Sequence, residues 1–282
     1  MTALWPYLIL HPRVGLLRSL QSMSAYDWDG AVFYAGQHIH ATHLPRTYPL
    51  VWLVIGSPLP TVMLAVLGLG LLAADLVRRH LPSPPVLLSA ALLVVPIAVM
   101  IARHATLYDG LRHFLFTVPG MILLATAALV RLTRLAWVPR RRVLAAALVG
   151  LLLVGQVDVI VQAVRLRPLE YMYFSPVVGG FTKARQRYEA DYWYSCQTLA
   201  VRWLAGHYRD YTGSATPTYT GLDVTVGLPN AFQPEDHDPD FVFQDDNHFV
   251  FAERLPAPPA GYRRVHELAV DGVTMCGVDV RQ

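Results

Sequence analysis

The sequence predicts a membrane all-α bundle of about four transmembrane helices, followed by a small extracytoplasmic α/β domain. Three observations lead there. Only 15% of the residues are charged and 54% are hydrophobic, with a mean hydropathy of +0.36, a balance that departs from soluble globular usage toward a membrane class. Four apolar runs between residues 59 and 164 are each about as long as the roughly 20 helical residues needed to cross a hydrocarbon core of about 30 Å. Beyond residue 165 the pattern changes to one amphipathic stretch and several short alternating runs. The net charge of +3 comes almost wholly from arginine, Lys183 being the single lysine. The arginines gather beside apolar runs and form no continuous basic face, which argues against nucleic acid as a partner.

Residues 1–57 read as an extracytoplasmic or interfacial segment. The opening "MTALWPYLIL" lacks a basic n-region and a small-residue cleavage site, so it makes a poor signal peptide. The stretch "SMSAYDWDGAVFYAGQHIHATHLPRTYPLVW" mixes aromatics suited to an interfacial belt with Asp27, Asp29, His38, His40 and His43. An extended "HIH" sets two imidazoles on one side but fixes no third ligand, so no metal site is expected and a divalent metal has no support from this chain.

Residues 58–165 hold the bundle, with spans at 59–77, 85–102, 114–130 and 143–164. The second and third carry prolines, Pro96 and Pro119, read as interior; neighbouring helices make such prolines tolerable. Asp158, near the end of the fourth run, is placed at the interface. Arg78 and Arg79 lie between the first two spans, and Arg131, Arg134, Arg140, Arg141 and Arg142 between the third and fourth. By the positive-inside rule both loops are cytoplasmic. The stretch around Asp109, the first fifty or so residues and everything after Arg165 then lie outside.

Residues 166–282 form the outer α/β domain. Leu199, Val201, Trp203 and Leu204 fall near helical spacing, with Arg202 and His207 outside that set. Strand-like runs follow in "TPTYTGLDVTVG", "DFVFQDDNHFVFAERL", "GYRRVHELAV" and "GVTMCGVDV", with Asp-Gly before the last suited to a type I′ hairpin turn. The acidic "PEDHDPDF" and the group Asp245, Asp246 and His248 lack the alternating ligands and turn glycine of a calcium loop, and read as solvated. Cys196 and Cys276 lie in what is then an oxidising compartment, where pairing is chemically allowed. A helix packed on the final strand would bring them together; the sequence leaves the pairing open.

The stretch "LYDGLRHFLF" sets Asp109, Arg112 and His113 directly before an apolar run. Taken alone, it has two readings: these residues mark the end of the lipid, Arg112 snorkelling to headgroups, or they face a charged ligand anchored in the lipid.

The motifs "LPRTYPLVWLVIGSPLP", "YDGLRHFLFTVPG" and "YMYFSPVVGGFTKARQRYEADYW", in that order, resemble the C-terminal part of a bacterial GT-C membrane glycosyltransferase of the protein O-mannosyltransferase-like superfamily. The resemblance implies a polyprenyl-phosphate-linked sugar as donor, a protein, lipid or glycan acceptor, and a place in the bacterial plasma membrane with the C-terminal domain outside. It implies that Arg112 and His113 bind the donor phosphate, a planar guanidinium matching phosphate oxygens and an imidazole adding a donor. It further implies that Tyr108, Asp109, Asp29 and Tyr48 line the sugar or cavity side. Members of that family carry their base or metal-binding carboxylate in a first outer loop for which this chain has no counterpart. The expectation is therefore a truncated or split reading frame, or one half of a two-chain enzyme needing an N-terminal half or partner subunit and inactive by itself. The alternative is a non-catalytic accessory subunit of the same fold that binds lipid or glycan. A transporter finds no inverted repeat or paired broken helices in its favour.

Overall fold

The structure, a computed structural model, describes residues 10–11, 14–15, 18, 28–135, 142–222, 228–245 and 255–282. Asp27, Arg140, Arg141, Asp246 and His248 lie outside the described residues.

The first element that lies wholly within the described residues is a hairpin of β1 (Ala31–Tyr34) and β2 (Gln37–His40), paired antiparallel with Ala31 opposite His40. Its two-residue turn has both central residues at positive φ, Ala35 at 56° and Gly36 at 84°, the sense that matches strand twist. Helix α1 (Tyr48–Ile55) follows, with Pro49 in its first turn.

Helix α2 (Leu59–Val77) begins at Pro58–Pro60; a first-turn proline costs no hydrogen bond there. Helix α3 (Pro84–Arg103) starts in the same way and ends at His104, whose φ of 53° breaks the helical sense. Pro96 lies inside α3. Pro119 lies at the start of its α-helix and not in mid-span, where the sequence reading had it. The chain enters as a 3₁₀ segment, Arg112–Thr117, with Phe114 off helical geometry, and only then winds into α4 (Val118–Leu135). Pro119 is thus in the first α-helical turn, where a missing N–H is harmless.

Among the described residues, three helices are long and apolar enough to cross a membrane: Leu59–Val77, Pro84–Arg103 and Arg112–Arg134. Glycines let them approach closely. A Cβ on Gly68 of α2 would lie 2.8 Å from the Leu124 carbonyl oxygen of α4, and one on Gly120 of α4 would lie 2.8 Å from that of Ser89 of α3. At the far end Arg131 donates twice to Asp75, at 2.6 and 2.9 Å, tying α4 to α2. Helix α5 (Arg142–Arg165) packs beside α4 and α2. The large apolar side chains of all four helices that face outward, such as Val66, Leu88, Leu123 and Ile160, are more than half exposed or nearly so. A coat of this kind marks a surface meant for something other than water.

After α5 come the five-residue helix α6 (Gly180–Ala184) and α7 (Ser195–His207). A mixed sheet completes the chain: β3 (Thr218–Thr220), β4 (Gln233–Pro234), β5 (Phe241–Asp245), β6 (Tyr262–Val270) and β7 (Val273–Arg281), in the order β4-β3-β5-β7-β6. β3 runs parallel to both β4 and β5, and the other pairings are antiparallel. The β6–β7 turn has Asp271 at φ 48° and Gly272 at 76°, the geometry that Asp-Gly favours. α7 lies on β5, β6 and β7, burying Ala200, Val201 and Leu204, and Cys196 of α7 forms a disulfide with Cys276 of β7. Within the sheet the buried Asp279 of β7 receives two hydrogen bonds from Arg264 directly opposite, at 2.7 and 3.1 Å. In the acidic loop Asp238 and Asp240 both pair with Arg281.

Stretches far apart in the chain meet at the helix ends. Residues 187–189 pair antiparallel beside the end of β1: Gly36 N–H donates to the Arg187 carbonyl at 2.9 Å, and Glu189 N–H to that of Phe33 at 3.1 Å. Ser175 N–H donates to the Ile55 carbonyl at 2.6 Å. Residues on both sides of the helical bundle in sequence thereby form one layer, and the turn at Asp109 is seated in it.

Candidate functional site

The site is built around two consecutive left-handed residues, Asp109 at φ 55° and Gly110 at 61°. Aspartate tolerates this conformation better than most residues and glycine adopts it freely. A Cβ on Gly110 would lie 3.0 Å from the Trp52 ring, so the turn rests directly on that indole.

Glu189 holds the turn from beneath. Gly110 N–H donates to its Oε1 at 2.9 Å and, in a shared bond, to the Tyr48 hydroxyl at 3.1 Å. The Tyr48 hydroxyl itself donates to Glu189 Oε1 at 3.2 Å. Tyr48 is fully buried and Glu189 nearly so. Burial, and then the neighbouring charge of Asp109, push the Glu189 carboxyl up to about 8, against the opposing pull of the Gly110, Tyr48 and Asp109 donors. Burial beside Glu189 likewise raises the Tyr48 phenol well above its ordinary range. Both shifts favour the uncharged forms of the pair.

Above the turn stand a buried carboxylate and a reachable guanidinium. Asp109, only 8% exposed, accepts from Arg112 Nη1 at 2.5 Å. The Arg112 guanidinium lies 4.6 Å over the Trp193 ring, and its side chain remains 42% exposed. A guanidinium held by a carboxylate on one edge and an indole on one face keeps its other N–H groups oriented toward solvent. Beside it Tyr108 stacks on Trp28 at 4.3 Å and meets the His113 ring edge-on at 4.2 Å. His113 Nε2 is buried without a hydrogen-bond partner among the described residues.

The structure thus brings together Tyr48, Tyr108, Asp109, Arg112 and His113. Asp29, next to the Trp28 that stacks on Tyr108, is paired with His40: its side chain is 98% exposed and lies 2.7 Å from His40 Nε2. His40 also meets Thr42 at 2.7 Å. Among the described residues, no three His, Cys, Asp or Glu side chains come together as a metal site. Asp158 of α5 accepts from Gln162 one turn on, at 2.7 Å.

Sequence reasoning missed Glu189, Asp191 and Trp193. Asp191 accepts from the Ser195 and Cys196 N–H groups at 2.9 and 2.8 Å and from the Tyr171 hydroxyl, fixing the start of α7. The available signal was "YEADYW", two carboxylates spaced by one alanine among aromatics, a setting too apolar for solvated acids. No family model, no curated protein and no solved structure matches this chain.

Proposed function

We propose that this protein binds a polyprenyl-phosphate-linked sugar at the outer membrane interface and supplies the phosphate site for glycosyl transfer from it. One observation carries the reading: Arg112 is half-exposed, oriented by Asp109 and Trp193, and sits where an apolar run long enough to cross a membrane begins. A phosphate with its isoprenoid chain among lipid tails rests at that depth, and a guanidinium is the side chain best matched to its oxygens. When the bond from the sugar carbon to the phosphate oxygen breaks, the electron pair stays on the phosphate, and a cation already in place stabilises it.

The reading includes α5 as a fourth span, supported by its 24 residues and its exposed apolar face. It places the sheet domain outside the cytoplasm of a bacterial plasma membrane, supported by the arginines clustered in the opposite loops.

The test uses the full chain in nanodiscs and farnesyl phosphate as probe. Arg112→Ala lowers affinity about tenfold or more, the worth of one charge-assisted hydrogen bond, while Arg112→Lys retains part of it. Equal affinity in wild type and Arg112→Ala would remove the phosphate role.

A further inference from the structure

At the end of the bundle opposite Arg112, helices α2 and α4 are pinned at two heights and stand apart between them. Gly68 lets α2 lie directly on the Leu124 backbone. Two turns further along, Asp75 takes the paired hydrogen bonds of Arg131. Between those contacts α4 sets only the methyl groups of Ala127 and Ala128 against Leu71 and Leu72 of α2. The short side chains leave a cavity of about 160 Å³, bounded on its third side by Val86 of α3.

Protein interiors keep few voids larger than a water molecule. An apolar cavity of about 150 Å³ stays dry and takes a guest the size of benzene. The walls here are leucine, valine and alanine, so this space favours hydrocarbon over water in the same way.

The rim is different. It is formed by Asp75, Arg131 and, from the turn between α2 and α3, Pro82 and Ser83. That turn ends α2 with His80 N–H on the Asp75 carbonyl at 2.9 Å and Arg79 N–H on that of Leu76 at 3.0 Å, Arg79 being left-handed at φ 59°. Such an ending folds the chain back over the last helical carbonyls and keeps Arg78 within electrostatic reach of Asp75. Arg134 lies one turn beyond Arg131. Arg78, Arg79, Arg131 and Arg134 are all exposed, and Asp75 offsets the charge of one of them. Arg131 donates to Asp75 from Nη1 and Nη2, and its remaining N–H groups are left for another partner.

The rim also lies at a defined depth. Arg112 and Arg131 stand toward the two ends of one apolar stretch, about 30 Å apart by the rise of its 3₁₀ and α-helical parts. That is the thickness of a hydrocarbon core. With Arg112 at one interface, the rim is at the headgroups of the other leaflet.

We propose that the cavity holds one acyl chain of an anionic phospholipid, whose phosphate rests on Arg131 with Arg78 beside it. Basic pockets between membrane helices hold the headgroups of such lipids, and the guanidinium fork suits phosphate oxygens. A zwitterionic lipid brings the same chain, but its own ammonium cancels the charge of its phosphate. Bound there, the lipid fills the gap among three helices and stabilises them against separation. The inference stands apart from the phosphate role of Arg112, which lies at the opposite end of the stretch.

The test uses the full chain in detergent, with dioleoylphosphatidylglycerol, dioleoylphosphatidylcholine and glycerol 3-phosphate as probes. Native mass spectrometry gives the dissociation constants, and melting temperatures are taken alongside. Phosphatidylglycerol binds wild type about tenfold or more tightly than phosphatidylcholine does, the worth of one charge-assisted hydrogen bond. It also raises the melting temperature, and glycerol 3-phosphate does not. Asp75→Asn with Arg131→Gln replaces the ion pair by two amides that can hydrogen-bond and removes the cation. In that double variant the phosphatidylglycerol advantage falls about tenfold and the phosphatidylcholine affinity stays. Ala127→Phe fills the cavity and lowers the affinity for both lipids. Equal affinity for the two lipids in wild type overturns the inference, as does an advantage that survives in the double variant. Glycerol 3-phosphate binding as tightly as phosphatidylglycerol overturns it too, because the rim then acts without the cavity. So does an Ala127→Phe protein that melts as wild type and binds both lipids unchanged. If Ala127→Phe does not fold, the double variant and the glycerol 3-phosphate comparison decide.

Discussion

At the scale of single residues, the most informative group is Glu189. Its folded-state value of about 8 lies well above the ordinary 4.5, so the folded protein binds this proton more tightly than the unfolded chain does. Its contribution to stability is complete below about 4.5 and is lost as pH rises through about 8. Glu189→Gln keeps an acceptor oxygen for Gly110 N–H and cannot ionise. We therefore expect melting temperature to fall between these two pH values more steeply in wild type than in Glu189→Gln. Parallel profiles for the two proteins would show that Glu189 ionises freely in the fold. Glu189 was not legible in the sequence because its partners are remote. Tyr48 and Gly110 lie 141 and 79 residues away, and no local pattern joins them. Asp109 and Arg112 were legible because three residues separate them and they stand beside an apolar run.

At the scale of elements, what could be read was what depends on local pattern. The first long apolar helix is found at Leu59–Val77, because prolines mark its start and the apolar run has no competing periodicity. The Asp271–Gly272 turn could be read for the same reason. The Ala35–Gly36 turn escaped notice since alanine seldom adopts positive φ. Pro119 was misplaced because sequence alone does not show that a 3₁₀ segment delays the helix. How the helices touch is set by glycines whose partners lie on other helices, and this gives a second expectation. Gly120→Val drives a branched side chain into the Ser89 carbonyl and the Leu93 N–H of α3, which are backbone atoms that cannot swing aside. Overpacking of this kind costs about 1–3 kcal/mol. Thermal unfolding in detergent should show the loss, and an unchanged midpoint would mean that α3 and α4 separate at little cost.

At the scale of the whole molecule, the reading fixes which side each end of the bundle faces. The two cysteines of the chain are joined to each other, so an introduced cysteine is the sole thiol. Ser83 in the arginine-side loop and Gly213 in the sheet domain are both exposed. A membrane-impermeant maleimide added to intact spheroplasts should label Gly213→Cys and should reach Ser83→Cys only after permeabilisation. The reverse pattern would invert the topology and put Arg112 on the cytoplasmic face.

The layer that seats Asp109 also has a consequence in time. Its hydrogen bond from Gly110 closes on a residue 79 positions later. At about 5–20 residues per second, synthesis takes about 4–16 s to cover that distance. During that interval the nascent chain makes its third and fourth apolar runs while its Asp109–Gly110 turn lacks the acid that will hold it. The site therefore cannot be complete before α5 and the stretch after it have been made, and a nascent chain arrested before residue 189 carries Arg112 without its support.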